Sequence, residues 1–393
     1  MSKIIVHIDL NAFFARAEEI KDPTLENKPL AIGHEGRSGI VSTCSYEARK
    51  FGVHSGMPMF EAKKLCPHLI IKEVDFRYYH VLSKTFIDYV KRYTKIVEQV
   101  SVDECFADFT LALKGVKDPI RYFKDFQNGL YTLTKLKCSI GVAPTKFLAK
   151  MASDMKKPMG LTIIRRKDLE TLLYPIPIED TFGIGKKSAP KLKAIGINTI
   201  GDLKERCDND DPQTKSLIGK FFYIIKDWIN GYGDDTVITE REDPKSIGHS
   251  STFMHDTDNP EEVREMFEHL SRMVSERAIK ERKIGGTIQI TVKTTEFKSF
   301  NKSLTLEAPT NNFEVIYSTA LKLYKANFTR LMLRLVGVTL QNLIDPKDMK
   351  IQMSLFDYEK HEEENATKLL INELNRKLKK PLLMRASEIE KKK

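Results

Sequence analysis

Residues 4–20, IIVHIDLNAFFARAEEI, decide how this chain is organised. The apolar run 4–8 has the pattern of a buried strand, and Asn11 is placed to cap the amphipathic helix expected over 12–20. Asp9 therefore falls where a strand ends and a helix begins. Residues 95–109 also read as strand, but on one straight strand Asp103 and Glu104 would point to opposite faces, because side chains alternate. A tight hairpin turn at Asp103 and Glu104 removes that conflict and leaves both carboxylates at one sheet edge, within reach of Asp9.

Further out, strand signals at 30–32, 39–43 and 138–143 mix with helical spacing from Tyr46 and over 78–93. Thr145 caps a helix running to about Met155, which Pro158 and Gly160 stop. This mixture over 1–166 predicts an α+β layer, an antiparallel or mixed sheet with helices on one side. Residues 167–233 turn helical around the glycine-punctuated run Phe182-Gly183-Ile184-Gly185, and an acidic, apolar-poor stretch over 234–245 reads as a linker. Beyond it the order strand, helix, strand, strand, helix, strand over 246–344 is a second α+β unit. A charged tail follows, with a helix expected over 358–378.

The 393 residues carry 64 Lys and Arg against 54 Asp and Glu, and a net charge of +10 favours a polyanionic partner over an acidic protein or a membrane. Neither a signal peptide nor a run of membrane-spanning length is legible. Five scattered cysteines (Cys44, Cys66, Cys105, Cys138, Cys207), never spaced C-x-x-C, signal neither a disulfide framework nor a zinc site, so a reducing cytoplasm is the natural compartment.

Asp9, Asp103 and Glu104 form a candidate cluster of three carboxylates. Magnesium takes oxygen ligands and is usually held by one or two carboxylates plus substrate phosphates. Two such ions a few ångströms apart activate an attacking hydroxyl and stabilise the leaving oxygen of an in-line phosphoryl displacement. On pattern alone, ordinary surface acids are an equal alternative.

Three segments read together shift that balance: HIDLNAFFARAEE (7–19), STCSYEARKFGVHSGMP (42–58) and QVSVDECFADF (99–109). They resemble the signature blocks of the Y-family (translesion) DNA polymerases in their bacterial form. The resemblance continues through SIGVAPTKFLAKMASDMKKPMG (139–160), DTFGIGKKSAPKLKAIGI (180–197) and KSIG (245–248), and covers about residues 1–343. It implies a right-hand polymerase: a palm (1–10 and 78–166), small fingers (11–77), a helical thumb with a helix-hairpin-helix (167–233), a linker (234–245), a βαββαβ little finger (246–344) and a tail (345–393).

By the same resemblance Asp9, Asp103 and Glu104 are the catalytic, metal-ligating acids for two Mg2+ ions, with the Leu10 backbone carbonyl as a further ligand. Phe14 matches the steric gate, a flat ring that leaves no space for a 2′-hydroxyl, while Phe13 faces the core or the minor-groove side. Tyr46, Arg49 and Lys157 match positions that grip the incoming triphosphate, a fork, a point charge and a hydroxyl suited to phosphate oxygens; Thr43 adds a further hydroxyl. Small Ser42 and Gly56 fall on the fingers roof, where little bulk implies weak geometric checking, low fidelity and lesion bypass. Gly183, Gly185 and Lys186 match a helix-hairpin-helix turn on a DNA phosphate, with Phe182 where proline is frequent. Ser250, Ser251, Thr252, Lys293, Thr295 and Lys298 are candidate phosphate contacts of the last domain. Gln352, Leu355 and Phe356 of QMSLF (352–356) resemble the peptide with which bacterial polymerases hold the sliding clamp.

The implied activity is template-directed, low-fidelity DNA synthesis from dNTP on primer-template DNA, with no proofreading nuclease, by a chain whose default state is a monomer. Cys105 stands where alanine or glycine is usual in the family and is expected to make activity sensitive to oxidation. A palm-type nucleotidyl cyclase shares a two-metal carboxylate site but needs neither the hairpin motif, the last domain nor the clamp peptide. A noncatalytic DNA scaffold does not need the intact acids.

Overall fold

The computed structural model describes residues 3–240 and 243–349, together with residue 371. The chain divides into two compact units, Met1–Glu242 and Asp243–Lys393. The first unit begins with β1 (Ile5–Leu10), α1 (Phe13–Lys21), β2 (Leu30–Gly33), β3 (Val41–Cys44), α2 (Tyr46–Arg49), α3 (Met59–Leu65) and β4 (Ile70–Lys72). It continues with α4 (Phe76–Val90), β5 (Val97–Gln99), β6 (Glu104–Asp108), α5 (Pro119–Thr134), β7 (Cys138–Ala143), α6 (Lys146–Met155) and β8 (Leu161–Ile163). Helices α7 (Leu169–Leu172), α8 (Ala189–Lys193), α9 (Ile200–Asp208), α10 (Pro212–Ile218) and α11 (Phe221–Ile229) complete it.

Its main sheet has the order β5-β6-β1-β7-β8. β1 lies at the centre, antiparallel to both neighbours, while β7 and β8 run parallel. A strand flanked on both sides and covered on both faces must be apolar almost throughout, and Ile5, Val6 and Ile8 are fully buried. The expectation of helices on one side only needs correcting. Val6, Ile8 and Leu10 pack in one core with Phe86 of α4 and Phe123 and Phe126 of α5. Ile5 packs in another with Leu148 and Met151 of α6, so α6 covers the opposite face. That second cover depends on Gly141 of β7, where a Cβ would lie 2.0 Å from the Ala149 carbonyl oxygen and 2.4 Å from the Ser153 nitrogen. Only glycine lets the backbone of α6 settle so low on the sheet.

The sheet β3-β2-β4 forms a smaller layer with its own core, which includes Ala31, Val41, Cys44, Ala48 and Met59. Around α8, α9 and α11, Leu192, Leu203, Phe222 and Ile225 are fully buried.

The second unit comprises β9 (Ser246–Thr257), α12 (Pro260–Lys280), β10 (Ile284–Thr294), β11 (Ser299–Thr310), α13 (Phe313–Asn327) and β12 (Leu333–Ile344), the expected βαββαβ order. Its antiparallel sheet runs β11-β10-β12-β9. Ile288, Ile290, Val336 and Val338 face Phe267, Leu270 and Ile316 of the helices in one core. Alternate residues are polar: Ser250, Thr291, Lys293 and Thr339 line a shallow cleft with Arg277. Among the described residues, no helix is long and apolar enough to cross a membrane.

Candidate active site

Strand alternation places His7 and Asp9 on the face of β1 that α6 covers, and Ile8 and Leu10 on the other. The hairpin that brings the other two acids there turns slightly earlier than expected. Val100 and Ser101 both donate their N–H to the Glu104 carbonyl (3.1 and 3.3 Å), so the turn spans 100–103 and Glu104 already belongs to β6. Asp9 and Glu104 are then direct cross-strand partners, and the Leu10 N–H donates to the Asp103 carbonyl at 2.9 Å. Ser101 Oγ fixes the turn by accepting from the N–H of Asp103 and Glu104 and donating to the Asp103 carboxylate.

One cavity of about 240 Å³ is lined by Asp9, Leu10, Phe14, Ser42, Thr43, Tyr46, Arg49, Asp103 and Lys157. These residues come from β1, α1, β3, α2, the β5–β6 turn and the segment after α6, and all were singled out in the sequence. Ser55, which was not, also lines it, whereas Gly56 follows in a turn with φ of +83° and does not. The cavity adjoins a wider cleft of about 790 Å³ that shares Ala12, Tyr46 and Arg49.

The charges are balanced from α6 and the residues just beyond it. Lys150 Nζ donates to Glu104 (2.8 Å) and Asp9 (3.3 Å), and Lys157 Nζ donates to the other Asp9 oxygen at 2.8 Å. Asp154 pairs with both lysines, at 3.7 and 2.8 Å. His7, almost fully buried, sets Nδ1 2.8 Å from Ser153 Oγ and Nε2 3.4 Å from Glu104. The second contact is long and falls outside hydrogen-bond geometry. The His7 ring holds the Glu104 carboxyl down at about 2, with Lys150 assisting against burial. Burial pushes Asp103 upward, and the charges of Asp9 and Glu104 add to that against the Ser101 hydrogen bond. Burial alone would lower both lysines, but Asp154, Asp9 and Glu104 raise Lys150, and Asp9 and Asp154 raise Lys157. Burial likewise lowers His7, which keeps it neutral.

Two carboxylates in the cleft, Asp9 and Asp103, with Glu104 beside Asp9 on the next strand, are a hard-oxygen donor set suited to magnesium. As the side chains stand, no group of three or more His, Cys, Asp and Glu among the described residues is arranged to hold an ion; the lysine ammonium groups lie against Asp9 and Glu104 instead.

The two adjacent phenylalanines differ in burial. Phe13 is buried in the core, whereas Phe14 is half-buried and lies flat on Tyr79 (4.5 Å between centroids, 15°), with Phe76 edge-on at 6.1 Å. Tyr79 is itself pinned, donating its hydroxyl to Glu18 at 2.9 Å. Ser45 caps α2 by accepting from the Ala48 N–H, and Arg49 stacks over the Tyr46 ring at 5.0 Å. The Tyr46 hydroxyl is buried without a hydrogen-bond partner, as a group awaiting a ligand would be.

Asn11 does not cap α1. Ala12 is the cap residue, in left-handed backbone (φ 48°, ψ 47°) with no side-chain bond. Asn11 instead donates to Ser139 Oγ (3.0 Å) and accepts from the Met159 N–H (2.8 Å), which locks the strained turn beside Asp9 to β7 and to the chain after Lys157. Cys105 is fully buried, and burial drives its thiol upward, so the expected oxidation sensitivity is not supported.

At the hairpin motif, Gly183 has φ of +91° and a Cβ there would meet the Phe221 ring at 2.6 Å. Gly185 and Lys186 are exposed, and half-exposed Phe182 stacks on Trp228. Gln352, Leu355 and Phe356 lie outside the described residues, as does the helix expected over 358–378 apart from residue 371. Sequence reasoning missed Lys150, His7, Ser101 and Asp154. The available signals were the spacing of 150 and 154 along one helix face and of 7 and 9 on one strand face.

A mixed sheet with paired acids under a nucleotide-sized cleft, followed by a helix-hairpin-helix segment and a sheet with a polar face, defines a nucleotidyltransferase that works on nucleic acid. The impB/mucB/samB family model matches residues 8–154, the C-terminal domain of the same family residues 244–355 and the IMS family HHH motif residues 166–197. DNA polymerase IV of Bacillus velezensis is 38% identical over 392 residues, 99% of this chain and 94% of that one. DNA polymerase IV of Oceanobacillus iheyensis is 37% identical over 378 residues (95% and 89%), and DNA polymerase IV 1 of Bacillus subtilis is 35% identical over 393 (99% and 94%). A solved Y-family DNA polymerase chimera superposes with a TM-score of 0.77 at 25% identity, covering 87% of this chain and 99% of its own. The chain belongs to the Y-family of DNA polymerases. It is a DNA-directed DNA polymerase of the translesion type, a metal-dependent enzyme whose substrates are DNA and deoxynucleoside triphosphates.

Proposed function

We propose that the chain extends a primer by two-metal nucleotidyl transfer, with Asp9, Asp103, Glu104 and the Leu10 carbonyl as ligands of two Mg2+ ions. The observation that carries this reading is the direct pairing of Asp9 with Glu104 across β1 and β6, beside Asp103 in the cleft that also holds Phe14, Tyr46, Arg49 and Lys157. When bound, the ions would lower the pKa of the primer 3′-hydroxyl and stabilise charge on the transferred phosphoryl group and the leaving pyrophosphate. Tyr46, Arg49 and Lys157, with Thr43, hold the triphosphate, a role supported by the orphaned Tyr46 hydroxyl. Phe14, braced by Tyr79, excludes a 2′-hydroxyl. Ser42 and Gly56 add little bulk above the base pair, and low fidelity follows; proofreading is absent.

The regions assigned from sequence as palm, fingers, thumb and little finger keep those names and bounds. Gly183, Gly185 and Lys186 grip a DNA phosphate without regard to sequence. The open sheet face with Ser250 and Lys293 tracks the duplex backbone. The tail recruits a bacterial sliding clamp through Gln352, Leu355 and Phe356, and the chain acts as a monomer. Primer extension with Mg2+ tests the core of this reading. The native chain extends a primer-template and the Asp103→Ala variant does not; extension that survives the substitution rejects the assignment.

A further inference from the structure

Asp9 and Glu104 stand directly opposite each other on neighbouring strands, an arrangement that like charges disfavour. In this structure the repulsion is met from within the chain. Lys150 reaches both acids, at 3.3 and 2.8 Å, from the helix that Gly141 admits onto the sheet. Its side chain is 15% exposed, as is that of Asp9, so solvent screens the contact only partly. The same ammonium is also 3.7 Å from Asp154, one helical turn further along α6 and more exposed than Asp9 or Glu104. Lys157 has the same choice, lying 2.8 Å from Asp9 and 2.8 Å from Asp154. Asp154 lies outside the cavity lined by Asp9, Asp103 and the triphosphate residues, so it needs another role than ligation.

We propose that Lys150 is the resident counter-cation of the paired acids, and that Asp154 is the carboxylate onto which Lys150 withdraws when divalent ions occupy Asp9 and Glu104. The lysine holds the two acids together before substrate arrives. It leaves without becoming an unpaired buried charge, because its second partner is already within ion-pair distance. Lys150 and Asp154 are thus positioning residues that act through the ligands. This rests on the metal-ligand reading above, deepens it, and needs no chemistry beyond the exchange of ion pairs.

The test reads stability rather than turnover. Trp228 is the single tryptophan and belongs to the first unit, stacked on Phe147 of α6, so its fluorescence reports melting of that unit in the full chain. Melting is followed in chelator and in rising Mg2+ alone, without DNA or nucleotide. Lys150→Met is expected to melt several degrees below the native chain in chelator, and to gain at least about twice the native rise in Tm at saturating Mg2+, since the ion restores what the lysine supplied. Lys150→Arg, which keeps the charge, should behave as native. Asp154→Asn should melt as native in chelator but need about fivefold more Mg2+ for the same rise. Lys150→Met with native melting in both conditions overturns the counter-cation role, and Asp154→Asn with a native Mg2+ midpoint overturns the withdrawal. Should Lys150→Met fail to fold, a native-like Lys150→Arg together with the Asp154→Asn shift still supports the proposal, and native melting of Asp154→Asn throughout rejects it. A native chain whose melting ignores Mg2+ sinks the metal reading itself, a result separate from these.

Discussion

Replacing Phe14 by alanine is expected to make the enzyme accept ribonucleotides more readily beside deoxynucleotides. The ring is half-buried, stacked on Tyr79 at 4.5 Å and walled by Phe76, so it cannot swing aside without displacing two further aromatics. Forcing an extra group into a packed contact costs about 1–3 kcal/mol, which corresponds to roughly 5- to 150-fold in relative rate. Removing the ring should therefore lower the dNTP-to-rNTP ratio of kcat/KM by a factor in that range. The stability loss should stay below the ~3–5 kcal/mol of a fully buried Phe→Ala change, because part of the ring already faces the cleft. The assay is single-turnover extension of one primer with matched dNTP and rNTP. Phe13→Ala is the comparison: it removes a core ring that packs on Phe14 and should lower stability by the full ~3–5 kcal/mol while altering sugar choice less than Phe14→Ala does. A Phe14→Ala variant that folds, extends with dNTP and keeps the native ratio refutes the gate.

Other consequences follow from the same geometry. Gly141→Ala must lift α6, since its Cβ would sit 2.0 Å from a backbone oxygen; unfolding by urea should reveal a loss of more than about 2 kcal/mol, with extension falling as Lys150 moves off the acids. Because Glu104 is held at about 2, its stabilising contribution is fully present above the ordinary glutamate range and is lost progressively as pH falls from there through about 2. Asp103 is displaced the other way, so the strain of ionising it disappears on acidification; carboxyl NMR titration of the metal-free chain should find Asp103 taking its proton before Glu104, and the reverse order contradicts these electrostatics. Deleting residues 352–356 should leave unaided extension intact and abolish stimulation by a sliding clamp; undiminished stimulation removes the tail from that role.

The central strand, the acid at its end and the second acid pair were legible because each depends on local pattern: an apolar run, a change of period and a hairpin. The split between Phe13 and Phe14 followed from adjacent positions on one helix. Asn11 misled because its capping preference is local, whereas Ser139, 128 residues away, and the Met159 N–H compete for the same amide and win. Lys150 was invisible for a related reason. In sequence it is one of many lysines on an amphipathic helix; its contact with Asp9 exists only because Gly141 lets that helix sink onto the sheet. Cys105 looked exposed to chemistry because it adjoins Glu104, yet strand alternation turns it into the core. The βαββαβ order of the last unit was readable from periodicity, but only the sheet register identified which polar residues share its open face.

Anomalous diffraction from crystals grown with primer-template DNA, a non-hydrolysable dNTP analogue and Mn2+ addresses the metal site most directly. Two manganese peaks are expected between the triphosphate and the carboxylates of Asp9, Asp103 and Glu104. A ternary complex in which nucleotide is bound, both lysines still lie against Asp9 and Glu104, and no manganese contacts the three acids would contradict the account.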